Sequence, residues 1–137
     1  MTSDDIENRV RDMADREAIR ELPLRYCDCV WRKDADGIAG LYTEDGCFDF
    51  GQPSGPLEGR ETIRSYFAAT LAEARPLPFI HNHVFDVDGD RAQGRCSVEI
   101  RMGDTAGAGF YEDEYVRVGS EWKFRSRKAT MFDDFGE

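Results

Sequence analysis

Two histidines give this chain its most direct means of moving a proton. His81 and His83 are the only histidines among its 137 residues, and imidazole is the side chain best suited to proton transfer near neutral pH. Their i, i+2 spacing on a predicted strand places both on one face. Simple alternation from Pro78 turns that face outward and turns Asn82 inward, whereas a β-bulge would reverse the pattern. We take His81 as a candidate base on these geometric grounds.

An arginine and a tyrosine complete the predicted catalytic set. The Arg127 guanidinium can stabilise an oxyanion or a leaving group as negative charge develops. The alternative is a purely structural ion pair with Asp113. Tyr26 lies on the apolar stripe of a predicted helix, where its ring can line a cavity while its hydroxyl donates to a ligand. A core tyrosine is the alternative there. The predicted catalytic residues are Tyr26, His81 and Arg127.

The predicted substrate contacts combine apolar surface with a few hydrogen-bonding groups. Asn82 could donate to a substrate oxygen, or could instead tie the strand backbone to a loop. A lining of this kind suits a hydrophobic, oxygenated, aromatic small molecule in an interior pocket. The predicted contacts are Trp31, Phe50, Asn82, Tyr111, Asp113 and Met131.

The sequence carries no pattern that indicates a cofactor. The two histidines have no third ligand at a useful spacing, so we predict no metal site. No glycine-rich phosphate cradle precedes a helix, and no specific Ser-His-Asp arrangement is present. We therefore predict chemistry that proceeds without a cofactor.

The composition restricts both partners and location. A formal charge of −10 disfavours nucleic acids, polyanionic substrates and anionic membranes, because each requires a basic surface. No apolar run approaches the ~20 residues of a membrane span, and the charged N-terminus lacks the apolar core of a signal peptide. Cys27 and Cys29, two residues apart on a predicted helix, suit neither a disulfide nor a zinc knuckle. We predict free thiols in the reducing cytoplasm.

Helices come first in the predicted order of elements, and strands come last. Periodic apolar residues predict the helices, and alternating segments after residue 76 predict an antiparallel meander. This order predicts one α+β domain, residues 1–137, with N-terminal helices packed on one face of a curved antiparallel sheet. The predicted helix boundaries are a cap at Asp4 or Asp5, a new segment opening at Pro23, a cap at Asp34, and a helix over residues 59–74.

The last hairpin sets which side chains share a face. A three-residue loop, residues 119–121, predicts Asp113 opposite Arg127 and Tyr111 opposite Ala129. One face of the hairpin is then apolar and the other is partly polar, so the sheet needs its own helices on one side and a partner on the other. We predict a homo-oligomer, either a dimer or a trimer. The apolar face would hold Val116, Val118, Trp122 and Phe124, and the other face Tyr111, Asp113, Arg127 and Met131.

Four phrases of the sequence resemble the SnoaL-like branch of the NTF2-like superfamily. They are DREAIRELPLRYCDCVWRKDADGIAGLYTEDGCFDF, GRETIRSYF, HNHVFDVDGDRAQGRC and YEDEYVRVGSEWKFRSR, and the likeness runs from about Asp15 to Met131. The resemblance implies a cone-shaped α+β barrel with an interior pocket. Related enzymes include scytalone dehydratase, hexachlorocyclohexane dehydrochlorinase, bile-acid 7α-dehydratase and polyketide cyclases, most of which work without a cofactor.

The resemblance also implies where the acid and base of such enzymes would stand. The Asp and His of the dehydratase-like members match Trp31 and Pro78, so both groups of that dyad are absent. The tyrosine and the charge-stabilising arginine of related members match Tyr26 and Arg127. The resulting hypothesis is a cofactor-independent lyase or isomerase. The alternative is a non-catalytic ligand-binding or assembly subunit, including the small subunit of a ring-hydroxylating oxygenase.

Overall fold

In the computed structural model, which describes residues 2–132, helices precede most of the strands. The predicted α+β class is confirmed. Helices pack on one face of a six-stranded sheet: α1 contacts β3 and β6, and α3 contacts β1. The elements are α1 (Ser3–Trp31), α2 (Ala35–Gly40), β1 (Tyr42–Asp49), β2 (Leu57–Glu58), α3 (Arg60–Glu73), β3 (Leu77–Asp88), β4 (Arg91–Met102), β5 (Thr105–Val118) and β6 (Glu121–Met131).

The first helix differs from its prediction at its start and in its middle. Its N-cap is Thr2 rather than Asp4 or Asp5, and Asp5 contributes the second half of a capping box, with the Thr2 hydroxyl accepting from the Asp5 amide at 3.1 Å. Pro23 does not open a new segment, because it lies inside one continuous helix. Buried Ile19, Leu22 and Tyr26 pack this part of α1 against the sheet, and this packing offsets the backbone hydrogen bond that proline cannot donate.

The shorter helices begin where their cap residues predict. Asp34 is the N-cap of α2, where its Oδ1 accepts from the Gly37 amide at 2.9 Å. Gly59, at φ 96°, precedes α3, so the predicted helix over residues 59–74 is confirmed. Ile63 and Phe67 are buried on its inner side. This helix thereby covers the sheet at the β1 end.

The sheet is mixed and open rather than antiparallel throughout and closed into a barrel. Its strand order is β2-β1-β6-β5-β4-β3. All neighbouring pairs are antiparallel except β1 and β6, which run parallel and are separated in the chain by α3 and four strands. The two C-terminal strands therefore lie at the centre, where both of their edges are paired.

The last hairpin forms the predicted residue pairs, but its turn is shorter than predicted and a β-bulge makes up the difference. Its turn has two residues, since Val118 pairs with Glu121, and one extra residue near Arg125 forms a β-bulge in β6. Asp113 still faces Arg127, but the bulge puts Phe124 and Arg127 on the same inner face. The predicted separation into an apolar and a polar face is therefore wrong. Tyr111, Asp113, Tyr115, Trp122, Phe124 and Arg127 are buried together, whereas Val118 is exposed on the outer face.

None of the described helices is both long and apolar enough to cross a membrane.

Candidate active site

The centre of the inner face is a buried ion pair between neighbouring strands. Arg127 donates from Nε to Asp113 Oδ1 at 2.8 Å and from Nη2 to Oδ2 at 3.1 Å, and both side chains are 0% exposed. This two-pronged geometry is the strongest form of a carboxylate–guanidinium contact. Burial is the largest single influence on Arg127 and disfavours its charge, but its neighbours, with the Asp113 carboxylate first among them, together hold the pKa of the guanidinium well above its ordinary value. A permanent positive charge thus lies inside the protein.

Aromatic rings enclose this charge. The guanidinium carbon of Arg127 lies 3.7 Å from the ring centroid of Tyr111, 4.5 Å from that of Phe124 and 4.6 Å from that of Tyr26. The faces of such rings attract a cation. Nη2 also contacts Cys96 Sγ at 3.4 Å, whereas Nη1 has no hydrogen-bond partner in the part of the protein that the structure describes. The Nη1 amino group of a buried charge, with its two N–H bonds, is therefore without a partner.

A histidine joins the ion pair through a tyrosine. His83 Nε2 lies 2.9 Å from the Tyr115 hydroxyl, which donates to Asp113 Oδ2 at 3.2 Å. Because that hydroxyl has only one proton, we assign Nε2 as the donor to Tyr115, and the acceptor lone pair of the neutral ring falls on Nδ1. Burial, with smaller contributions from Arg127 and Arg20, lowers the pKa of His83 to about 4. Its imidazole is consequently neutral at neutral pH.

The β-bulge in β3 decides which histidine faces inward. The pairing of β3 with β4 shifts between Ile80 and His83, so side chains after the shift reverse their faces. His83 turns inward, while His81 is 56% exposed with its Nε2 3.2 Å from Glu99 on the outer face. Asn82 is exposed as well, although the sequence places it on the inner face. His81 and Asn82 both line the outer groove that reaches His83, and only His83 is joined to the buried pair of Asp113 and Arg127.

The two positions that the resemblance assigns to the acid–base dyad do meet in space. Trp31 Nε1 donates to the Pro78 carbonyl at 2.8 Å, and the indole packs edge-on against Phe79 with centroids 5.3 Å apart. The sequence matching is therefore geometrically consistent. Neither side chain can transfer a proton, and the contact ties the end of α1 to β3. Trp31 therefore packs between α1 and β3 and does not line the surroundings of Arg127.

A chain of rings leads from the ion pair towards the surface. Tyr26 contacts Phe67 at 6.0 Å between centroids, Phe67 contacts Phe48 at 5.7 Å, and Phe48 contacts Phe50 at 5.3 Å. Phe50, a predicted substrate contact, is half-buried at the outer end of this chain. Met131, another predicted contact, is 37% exposed at the end of β6. It does not join the cluster.

The interior around Arg127 is filled rather than hollow. Arg127, Tyr42, Tyr115 and Phe124 are among the largest side chains that are almost completely buried. This packing differs from the roomy interior pocket that the resemblance implies. Open space instead borders the inner cluster at the bulge of β3, where a groove of about 710 Å³ between α1 and β3 reaches His83.

Of the predicted site residues, the structure brings together Tyr26, Tyr111, Asp113 and Arg127. Sequence reasoning missed His83 as the inward histidine, and it missed Tyr115 and Tyr42. Tyr115 carried a usable signal, because it stands two residues after Asp113 on a regular strand and must share its face. Within residues 2–132, no three His, Cys, Asp or Glu side chains group closely enough to hold a metal ion.

Three solved structures illustrate what this fold resembles, whereas no curated protein sequence matches the chain. A variant of Rv3472, a protein of unknown function from Mycobacterium tuberculosis, is 26% identical over 89% of this chain and 74% of its own, with a TM-score of 0.79. A proposed aromatic ring hydroxylase from Novosphingobium aromaticivorans is 26% identical over 90% and 93%, with a TM-score of 0.78. The hexachlorocyclohexane dehydrochlorinase LinA type 2 is 21% identical over 92% and 90%, with a TM-score of 0.81, and shows the shared fold.

The family model of the SnoaL-like domain matches residues 11–128, which is most of the chain. An NTF2-like protein with a cystatin-like fold is a further structural neighbour, with a TM-score of 0.81. Both findings agree with helices packed on one face of an open sheet. The chain therefore belongs to the SnoaL-like domain family and has the α+β fold of NTF2-like proteins.

Proposed function

We propose that this protein is a cofactor-independent lyase or isomerase that moves a proton on a hydrophobic, oxygenated, aromatic small molecule. One observation carries the proposal: a neutral histidine, His83, is joined through Tyr115 and Asp113 to a buried arginine whose Nη1 amino group has no partner among the described residues. Such a set supplies a proton acceptor and a fixed positive charge without a metal or an organic cofactor.

His83 has the protonation state that a base requires. Its low pKa keeps the ring unprotonated at neutral pH, and its Nε2–H bond to Tyr115 holds the ring in place. The groove at the β3 bulge gives a substrate access to this side chain. Arg127 weakens His83 as a base in the empty site, because two positive charges repel. Negative charge developing on the substrate reduces that repulsion and favours proton transfer.

Arg127 would stabilise the charge left on the substrate. Asp113 occupies its Nε and Nη2 side, so the guanidinium is fixed before any ligand binds, and Nη1 is the group left to donate. A donor that is already oriented in a water-poor site contributes more to transition-state stabilisation than the same donor in water. A phenolate, an enolate or a departing anion is the kind of group that this donor fits.

The comparisons support the class of reaction and no particular substrate. One structural neighbour is named a dehydrochlorinase and another a proposed scytalone dehydratase, and both names denote eliminations. The groove beside His83 combines the apolar side chains of Leu24, Ile80 and Val84 with polar groups, which favours a hydrophobic, oxygenated substrate.

We also propose a homo-oligomer in the cytoplasm. Val84 and Val118 are exposed on the outer face of the sheet, where a second copy would cover them. The four cysteines are free thiols, which suits a reducing compartment. Sedimentation of the purified protein would measure the oligomeric state directly, and a monomer at all concentrations would contradict this part of the proposal.

A panel of phenolic alcohols, diols and chlorinated alicyclic compounds tests the activity. We expect turnover of at least one compound, and His83→Gln should lower kcat/KM by about 10²-fold or more, as loss of a general base does. His81→Gln is the matched control and should lower kcat/KM much less, because His81 lines the same groove but contacts only the exposed Glu99. A folded protein that converts none of the panel would contradict the proposal. Equal losses for the two histidine variants would contradict the role of His83.

A non-catalytic ligand-binding or assembly subunit is the second candidate. The contact between Trp31 and Pro78 favours it, because a structural hydrogen bond occupies the two positions where related enzymes hold their dyad. The likeness to a proposed aromatic ring hydroxylase keeps the oxygenase small subunit within this class. Calorimetric binding of panel compounds without any turnover would select this second candidate.

A further inference from the structure

We propose that the groove between α1 and β3 binds a carboxylate group of the substrate, with Arg20 as the anchor of that carboxylate beside His83. This role rests on the proposed function and narrows its substrate class to hydrophobic carboxylic acids. Arg20 thereby becomes a substrate-binding residue that neither the sequence pattern nor the related dyad indicates.

The charge of this groove is opposite to the charge of the whole protein. The chain has 28 Asp and Glu residues against 18 Lys and Arg residues, yet none of the nine described residues that line the groove is acidic. Four other grooves on the described part of the chain each include at least one Asp or Glu. Glu99, which contacts His81, lines one of those other grooves. Arg20 and Arg95 therefore make this groove suited to a negatively charged group.

One aromatic ring places Arg20 next to the proposed base. The guanidinium carbon of Arg20 lies 5.2 Å from the ring centroid of Phe85, and the imidazole of His83 lies 4.9 Å from the same centroid. Burial is the main cause of the low pKa of His83, and the positive charges of Arg127 and then Arg20 add to it. Arg20 and His83 consequently border the same part of the groove.

The guanidinium of Arg20 keeps its N–H groups available, unlike that of its neighbour on the helix. Arg16, one turn earlier, also lies over Phe85, at 5.9 Å, but its Nε donates to Asp12 at 3.1 Å. Arg20 forms no ion pair with any of residues 2–132. The ring attracts the cation without occupying its donors. A free guanidinium fork fits a carboxylate through two parallel N–H···O bonds.

The remainder of the groove fits an apolar molecule with a single charge. Its apolar side chains are Leu24, Ile80 and Val84, and its volume of about 710 Å³ is that of a small-molecule site. The formal charge of −10 disfavours a doubly charged anion in the same place. With its carboxylate on Arg20, the rest of the molecule is held beside His83, where proton removal no longer requires a chance encounter.

Calorimetric titration of the whole protein with 2-naphthoate and with 2-naphthamide tests the anchor apart from turnover. The two probes share one ring system and differ in charge. We expect 2-naphthoate to bind at least about tenfold more tightly. Arg20→Gln should weaken 2-naphthoate binding about tenfold and leave 2-naphthamide unchanged, because a hydrogen bond between two charged groups is lost only with the first probe. Arg20→Lys keeps the charge without the fork and should lose less than Arg20→Gln.

Arg16→Gln is the matched control for Arg20→Gln. Arg16 lies on the same helix and contacts the same ring, but it does not line the groove, so this variant should bind both probes as the wild type does. The imidazole signals in proton NMR spectra locate the probe, because His81 and His83 are the only histidines and both line the groove. Both signals should move when 2-naphthoate is added. Circular dichroism shows whether each variant folds.

The outcomes separate the anchor from the proposed activity. Equal affinity for the two probes, imidazole signals that do not move, or equal losses in Arg16→Gln and Arg20→Gln would overturn the anchor. Turnover of the compound panel, extended by carboxylated analogues of its members, measures the activity independently. If 2-naphthoate binds as expected and no compound is converted, the anchor stands and the activity is wrong. If compounds are converted and Arg20→Gln keeps the wild-type KM for the carboxylated ones, the activity stands and the anchor is wrong.

Discussion

Two places on the inner surface hold polar groups in opposite ways, one through a neutral hydrogen bond and the other through a buried ion pair. At the corner where α1 ends, Trp31 and Pro78 meet through one neutral hydrogen bond, and Trp31 is 39% exposed. At the centre of the sheet, Asp113 and Arg127 form a charged pair with no exposed side-chain surface. The first place resembles ordinary core packing at an edge. The second keeps a costly charge where apolar side chains would pack as well.

This difference indicates where chemistry remains possible in the molecule. Related enzymes are expected to hold their acid–base groups at the positions of Trp31 and Pro78, and here those positions only join a helix to a strand. The centre retains the charge and adds a histidine, because the bulge in β3 turns His83 towards Tyr115. The comparison predicts that changes at the centre alter stability, protonation and activity together, whereas changes at the corner alter stability alone.

The largest expected effect follows from removing the carboxylate at the centre. Asp113→Ala leaves the buried guanidinium of Arg127 without its partner, so the free energy of unfolding should fall by about 3–5 kcal/mol. Urea denaturation followed by circular dichroism measures this change. The double variant Asp113→Leu with Arg127→Met should recover most of the stability, because apolar replacement of a buried ion pair is often neutral. It should also abolish turnover of the panel compounds, because the fixed positive charge is lost.

A surface ion pair provides the control for that prediction. Arg16 Nε donates to Asp12 Oδ2 at 3.1 Å, with side-chain exposures of 44% and 56%. Asp12→Ala should cost about 1 kcal/mol or less, because solvent screens an exposed pair and hydrates the charge left behind. If Asp113→Ala costs no more than Asp12→Ala, the centre has no special role in holding the fold together.

The second prediction concerns pH and the two histidines. The pKa of His83 is about 4 in the folded protein, against 6.5 for the ordinary side chain. Between these values the unfolded chain binds a proton that the folded chain does not, so the contribution of His83 to stability is complete above about pH 6.5 and is lost as pH falls towards 4. Urea denaturation at several pH values in this window measures the slope.

Two glutamine variants separate the contribution of His83 to the pH dependence of unfolding from the contribution of the acidic groups. His83→Gln should remove the part of the pH dependence that belongs to the buried imidazole. His81→Gln should retain it, because His81 is exposed beside Glu99. Identical slopes for wild type and His83→Gln would show that His83 is protonated as readily in the folded state as in the unfolded one, and would remove it as a neutral base.

The broad architecture could be predicted from the sequence because short local patterns indicate where helices and strands begin. Asp34 marks the start of α2 because its side chain accepts a hydrogen bond from the first turn of the helix. Gly59 marks the start of α3 because glycine, which has no Cβ, adopts the positive φ of that position without strain. The helices, the late strands and the pairing of Asp113 with Arg127 were predictable for this reason. Pro23 was misleading, since tertiary packing of its neighbours overrides a weak local break.

The details of the site depended on two bulges that leave no local signature. One inserts a residue near Arg125 and brings Arg127 to the face of Phe124, and the other reverses β3 before His83. Each shift of one residue moves every following side chain to the opposite face. Sequence alternation alone therefore turned both histidines outward and Asn82 inward, whereas the bulge turns His83 inward and leaves Asn82 exposed. The burial of Tyr42 against Phe124 depends on the pairing of β1 with β6, which no local pattern encodes.

The smallest expected effect tests the corner. Trp31→Phe keeps an aromatic ring against Phe79 but removes the donor to the Pro78 carbonyl, so it should cost about 1 kcal/mol of unfolding free energy. Turnover of panel compounds should stay at the wild-type value, since neither His83 nor Arg127 contacts this corner. A loss of turnover much larger than the loss of stability would mean that a substrate reaches Trp31. The corner would then belong to the reaction site, and the contrast between the two places would fail.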